Sequence, residues 1–285
     1  DPQGLPVNGV DNWTSGFLPA SFQGTRFRAT GAPVLNVSPD FVEPASVTAV
    51  ERQLIRRLDR LHQQNRAGQS RLESRIEAWE LAARMQTSAT DALDLSQETA
   101  ATLELYGIGR EPTDSYGRRC LIARRLVERG VRFVQLFINS QIWDNHSSIG
   151  TALPAACART DRPIAGLLTD LKQRGLLEDT LVIWTGEFGR TPYAQPNDKG
   201  SHGRDHHHSA FTTVLAGGGV RGGLMYGASD EVGMFAVENR VHVHDLHATV
   251  LHLLGLDHTR LTWRFQGRDY RLTDVHGKVV DGILA

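Results

Sequence analysis

Between Ser46 and Asn65 the segment SVTAVERQLIRRLDRLHQQN sets Val47, Val50, Leu54, Leu58 and Leu61 three or four positions apart, with Arg and Glu between them. That period places the apolar side chains on one stripe of an α-helix. Gly68 interrupts it, and RLESRIEAWELAARMQ resumes it with Leu72, Ile76, Trp79 and Ala83. A third helix is predicted from Gln97 to Leu105, stopped by YGIGREP. Upstream the pattern disappears. Residues 1–45 carry Pro2, Pro6, Pro19, Pro33, Pro39 and Pro44 with several glycines, which predicts an extended, loop-rich arm.

From Asp114 the texture changes. DSYGRRCLIARRLVERG predicts a helix with Tyr116, Cys120, Ala123 and Val127 on one stripe and Gly130 as its stop. VRFVQLFI, residues 131–138, is a short apolar, β-branched run of the kind expected in a buried strand. Ile164, Leu167, Leu168 and Leu171 mark another helix, ending at Gly175. TLVIWTG and FTTVLAGGG supply two further strands, and HDLHATVLHLLG a helix ended by Gly255. Alternating helices and strands predict an α/β fold with a largely parallel central sheet. The expected organisation is an arm over 1–45, a helical segment over 46–112 and an α/β core over 113–285, the last two forming one domain.

Composition narrows the function. The chain has 285 residues, 40% hydrophobic and 22% charged, which is the make-up of a globular protein. A net charge of −1 argues against a nucleic-acid partner, since phosphate recognition shows as a basic excess. No apolar run reaches roughly 18 residues, so no membrane span is expected. The opening DPQGLPVNGVDNW lacks Met, a basic stretch and an apolar stretch, and reads as the interior of a longer protein. Cys120 and Cys157 stand apart without metal-site spacing and are expected as buried free thiols.

The chemistry gathers in three loops. In open parallel sheets, ligands bind beyond the carboxyl ends of the strands. NSQIWDNH follows the first predicted strand and carries Asp144 and His146; EFGRTP follows the second and carries Glu187 and Arg190. KGSHGRDHHHSAF, leading into the third, holds His202, Asp205, His206, His207 and His208. Carboxylate and imidazole together make a ligand shell suited to zinc, with manganese and calcium also compatible. Each loop also has a plainer reading: a hydrogen-bonded Asp–His pair, a capping Glu187, a structural Arg190, a solvated histidine run. The convergence of all three favours the metal. GGGVRG, at 217–222, matches a dinucleotide fingerprint formally, but no amphipathic helix follows and a turn between strands is the better reading. In VHVHDLH, Asp245 stands where a helix N-cap would, while His244 and His247 are further candidates for the site.

TGEFGRTP, GRDHHHSAFTTVLAGGGVRGG, VHVHDLHATVLHLLGLDH and GRDYRLTDVHG resemble a bacterial, planctomycete-type sulfatase-like family of unknown function within the alkaline phosphatase superfamily. The resemblance implies a three-layer α/β sandwich with one or two divalent metals at the sheet edge. It implies hydrolysis of phosphate or sulfate esters, a small anionic ester as substrate, and an extracytoplasmic parent. It implies Asp144, His146 and His206 as ligands of the first metal. Glu187 takes the place of an Asp-His pair at the second, with the histidine lost to Phe188. Arg190 is then the anion clamp, with His202, His207 and Asp205 supporting the ligands. The superfamily's first strand, with its Asp ligand and nucleophile, has no counterpart in this sequence. The chain therefore resembles the family's C-terminal portion, with the nucleophile unassigned and weak metal binding expected. The rival expectation is a non-catalytic, metal-stabilised binding or surface protein of the same fold.

Overall fold

A computed structural model describes residues 8–15, 18, 22–27, 44–64, 66, 72, 76, 91–138, 141–194 and 202–285. The chain divides into two compact units, Asp1–Gln141 and Ile142–Ala285. Most of the predicted arm, and the helix expected around RLESRIEAWELAARMQ apart from Leu72 and Ile76, lie outside the described residues.

The first unit is helical. Helix α1 spans Ala45–Gln64, α2 Ala100–Leu105 and α3 Asp114–Glu128. The stripe on α1 forms at the expected spacing, yet Val47, Val50, Leu54, Leu58 and Leu61 are all exposed. The pattern sets the helix, not its cover. Thr99 caps α2 by accepting a hydrogen bond from the Thr102 amide. Helix α3 is the centre of this unit, burying Gly117 and every residue from Cys120 to Leu126. Ile122 and Leu126 pack with Ala92 against Phe27, Leu93, Leu95 and Val134. Gly117 is required where α3 crosses the preceding turn, because a Cβ there would stand 2.3 Å from the Tyr106 carbonyl oxygen. Burial pushes the Cys120 thiol up to about 12, so it stays protonated at neutral pH.

Two arginines of α3 are buried with the apolar stripe. Arg124 donates from Nη2 to Glu98 Oε1 at 2.7 Å, and Arg125 donates to the same oxygen. Arg124 also meets Glu128, and Arg125 holds the Ala92 and Asp91 carbonyls. Buried charges persist only when paired in this way. Burial alone would raise the Glu98 pKa, but the hydrogen bonds from Arg125 and Arg124 outweigh it and hold the carboxyl below its ordinary range.

The second unit begins with α4, Ile149–Gln173, whose buried face includes Ala156, Thr160, Pro163, Leu167 and Leu171. Gly175 ends it at φ +69°, as its sequence position predicts. Helix α5 spans Val243–Leu253 and buries Ala248, Thr249 and Leu251. The strands are short: β1 Val182–Trp184, β2 Gly189–Arg190, β3 His206–His207, β4 Val214–Ala216, β5 Ala228–Ser229, β6 Ala236–Glu238, β7 Thr262–Phe265 and β8 Arg268–Arg271. Among the described helices none is long and apolar enough to cross a membrane.

The sheet corrects the expectation. The three-layer sandwich with a largely parallel central sheet is not what the chain forms. The described strands make four separate two-stranded pairs, β1–β4, β2–β3, β5–β6 and β7–β8. Each pair is antiparallel. The second and third predicted strands exist, but they pair with each other, Ile183 opposite Leu215. Residues 131–138 form no strand, and Phe133 is 79% exposed. The reason is physical. An apolar β-branched run says that a segment prefers extended backbone, but direction and partner depend on ladder bonds to residues far away in sequence. A two-stranded pair also covers less of each strand than a sheet with helices on both faces, and Trp184 is 46% exposed. GGGVRG is a turn: Gly217, Gly218 and Gly219 take φ of +71°, +52° and +85°.

Candidate metal centre

The β2–β3 ladder sets Gly189 opposite His207 and Arg190 opposite His206. Directly opposed side chains in an antiparallel pair stand about 4.5–5.5 Å apart at Cβ, so this register brings a guanidinium and an imidazole together. Gly189 permits it, since a Cβ there would meet the Ala210 carbonyl oxygen at 2.3 Å. The loop bearing Asp144 and His146 is docked beside β3 by backbone bonds on either side of Gly203. The Ile149 amide donates to the His202 carbonyl at 3.0 Å, and the Arg204 amide to the Asn145 carbonyl at 2.9 Å. Gly203 is buried between them, where a Cβ would fall 1.9 Å from the carbonyl carbon of His146. Only glycine allows so close an approach.

Three potential ligand atoms converge there. Asp144 Oδ1 is 2.9 Å from His146 Nε2 and 3.1 Å from His206 Nε2, and the two Nε2 atoms are 3.1 Å apart. This is the one group of three or more His, Cys, Asp or Glu side chains among the described residues spaced to hold a metal. Bonds of about 2.0–2.2 Å from a tetrahedral zinc ion put its donor atoms roughly 3.3–3.6 Å apart. The observed triangle is a few tenths of an ångström tighter, so small outward shifts suffice. The donor chemistry fits as well, with two imidazoles and one carboxylate.

Arg190 completes the cluster, its Nη2 lying 2.7 Å from the same Asp144 Oδ1. Burial would raise the Asp144 pKa, but the Arg190 and His206 hydrogen bonds and the Arg190 charge prevail and hold it below the ordinary carboxylate range. Phe188 forms the apolar wall. Its ring centroid lies 4.3 Å from that of His206, and the Arg190 guanidinium carbon sits 5.8 Å from it. Thr191 anchors the other side, exchanging bonds with Asp205: Thr191 N to Asp205 O, and Asp205 N to Thr191 Oγ1. Asp205 Oδ1 in turn accepts the His206 amide at 2.7 Å. It stands 3.9 Å from His146 Nδ1, too long for a hydrogen bond but near the nitrogen that must carry the proton when Nε2 binds a metal.

The remaining predicted residues are placed elsewhere. Glu187 is exposed and makes no hydrogen bond or ion pair with the described residues, and its carboxylate is not in the metal-spaced group. His202 contributes its backbone carbonyl and takes φ of +33°. His207 points away along β3, where its Nε2 meets the Met234 carbonyl. His244 stacks between His242 and His276, with ring centroids 4.9 and 5.6 Å away. Asp245 is not the N-cap of α5. His242 holds that position, and Asp245 is the third helical residue of a capping box, accepting the His242 amide. Gly203, Phe188 and Thr191 carry no metal-binding chemistry of their own and are silent in the sequence pattern. A glycine two residues ahead of a carboxylate–imidazole pair is the only hint.

Comparison with known proteins finds no curated protein and no solved structure that matches. One family matches, described as a protein of unknown function (DUF1501), over residues 1–284. That span is nearly the whole sequence, and it includes the loop, both strands of the β2–β3 pair and every residue of the triangle. The chain belongs to the DUF1501 family.

Proposed function

We propose that Asp144, His146 and His206 hold a divalent metal, zinc in the first place, in a hydrolase acting on small phosphate or sulfate esters. One observation carries this reading: two segments some 60 residues apart bring one carboxylate oxygen and two imidazole nitrogens within 3.1 Å of each other, beside a guanidinium. A bound ion would act there as a Lewis acid and would lower the pKa of a coordinated water. The chain's own groups supply the rest. Arg190 offers the planar fork that matches phosphate and sulfate oxygens. Phe188 shields one side of His206 from water. Asp205, bonded through its backbone to buried Thr191, steadies the strand that presents His206. The ester class rests on the sequence resemblance and on this arginine, not on the fold, and the same resemblance favours an extracytoplasmic setting. Manganese and calcium are the alternatives the donor set allows.

The test is to purify residues 1–285, measure bound metal, and screen aryl phosphates and aryl sulfates with zinc, manganese or calcium. Turnover that His206→Ala and Asp144→Asn both abolish supports the hydrolase. Tight metal binding without turnover of either ester class favours a metal-stabilised binding protein. No metal uptake removes both.

A further inference from the structure

Asp144 Oδ1 is crowded. Arg190 Nη2 at 2.7 Å, His146 Nε2 at 2.9 Å and His206 Nε2 at 3.1 Å all address this one oxygen. A carboxylate oxygen has two lone pairs, so three nitrogen atoms this close crowd it, whichever imidazole carries its proton on Nε2. The shortest contact belongs to Arg190. Among the described residues its other terminal nitrogen, Nη1, has only a long bond of 3.4 Å to the Arg204 carbonyl. A metal taken up by the three ligands draws both imidazole nitrogens away from Oδ1, takes over the neutralisation of the carboxylate, and places a second positive charge beside the guanidinium. Arginine and metal therefore compete for the charge of the same carboxylate.

We infer that Arg190 is a latch on the metal-free centre. It neutralises Asp144 until a metal arrives, is then displaced from Oδ1, and only afterwards is free to bind a tetrahedral oxyanion with its fork. The inference rests on the metal reading above and adds an order to it: metal first, anion second. Because binding free energies are reciprocal, an oxyanion that captures the released arginine tightens metal binding by the same factor that the metal tightens the anion. In the metal-free protein the guanidinium remains engaged with Asp144, and sulfate binds poorly. Phe188 fits this role, since a guanidinium lying 5.8 Å from its ring keeps a contact face that does not depend on Asp144.

Calorimetric titration of zinc into the wild type, Arg190→Ala, Arg190→Gln and Arg204→Ala, each with and without sulfate, tests the latch. Arg204 lies on the same docked segment, and its side chain contacts the Gly203 carbonyl rather than Asp144, so it controls for simple loss of positive charge. Melting curves of the metal-free proteins establish that each variant folds. The latch predicts that Arg190→Ala and Arg190→Gln bind zinc about threefold to tenfold more tightly than the wild type, in line with removing one partly exposed ion pair. It predicts that sulfate tightens zinc binding in the wild type and in Arg204→Ala by at least about fivefold, the lower end of typical couplings, and in neither Arg190 variant. Zinc binding that is unchanged or weaker in both Arg190 variants overturns the latch while leaving the metal site intact. An equal gain in Arg204→Ala also overturns it, reducing the effect to net charge. A wild type that takes up no zinc removes the metal reading itself, which is a different failure.

Discussion

The centre is built by side chains of modest burial beside a buried glycine that has no side chain at all. Asp144, His146 and His206 are 28%, 38% and 47% exposed at their side chains, so solvent screens their mutual attraction and packing does not fix them. The fixing falls to Gly203, whose missing Cβ lets the segment at 202–204 lie against the His146 loop. Gly203→Ala forces backbone apart at a contact of 1.9 Å, which no rotamer change relieves. It is expected to separate His146 from His206 and to weaken zinc binding by more than about tenfold, at the scale of losing a group that orients a ligand. Zinc calorimetry checks this. Affinity within twofold of wild type would mean that the loop is held by something other than this approach.

Among the elements, helices could be read in advance and strand partners could not. The stripes of α3 and α4, and the stop of α4 at Gly175, follow from local period and from glycine at positive φ, properties carried by neighbouring residues. What a stripe cannot say is whether anything covers it, as exposed α1 shows, or that Arg124 and Arg125 are buried, since their partner Glu98 belongs to another segment. Strand β1 and strand β4 were legible as extended segments, yet their antiparallel union was not. The metal-spaced residues are legible by their chemistry, but no parallel sheet edge gathers them. In the structure the gathering is done by the two-residue β2–β3 ladder and the Gly203 docking. The capping box of α5 offers a test at this scale. Asp245 accepts the His242 amide at one oxygen and the Lys278 amide at 2.8 Å at the other. Asp245→Ala removes the acceptor of both amides and should cost about 1–2 kcal/mol, the scale of the lost hydrogen bonds, and leave zinc affinity unchanged. Thermal unfolding beside zinc calorimetry measures both, and a loss of zinc binding would give this box a role at the centre.

For the molecule as a whole, acid stability should follow the buried cluster of the first unit, whatever becomes of the metal. The Glu98 carboxyl is held below its ordinary value in the folded state. Its contribution is therefore fully present above the unfolded glutamate pKa, about 4.3, and is lost as pH falls through the lower folded value. Glu98→Gln leaves Arg124 and Arg125 buried without their shared carboxylate. It should destabilise the protein by about 3–5 kcal/mol at neutral pH and flatten the acid limb of stability against pH. Equal acid limbs in denaturant titrations of the two proteins would show that Glu98 is not the group responsible. The triangle of Asp144, His146 and His206 is tested most directly by metal content. Residues 1–285, stripped with chelator, given equimolar zinc and dialysed, are compared with His206→Ala by elemental analysis and calorimetry. The weak binding expected from the sequence is revised by the convergence of three ligand atoms: about one zinc per wild-type chain is expected, with a loss of affinity in His206→Ala beyond the roughly 10–100-fold typical of outer-shell changes. Wild-type protein that retains no zinc, or His206→Ala that retains as much, would contradict that expectation.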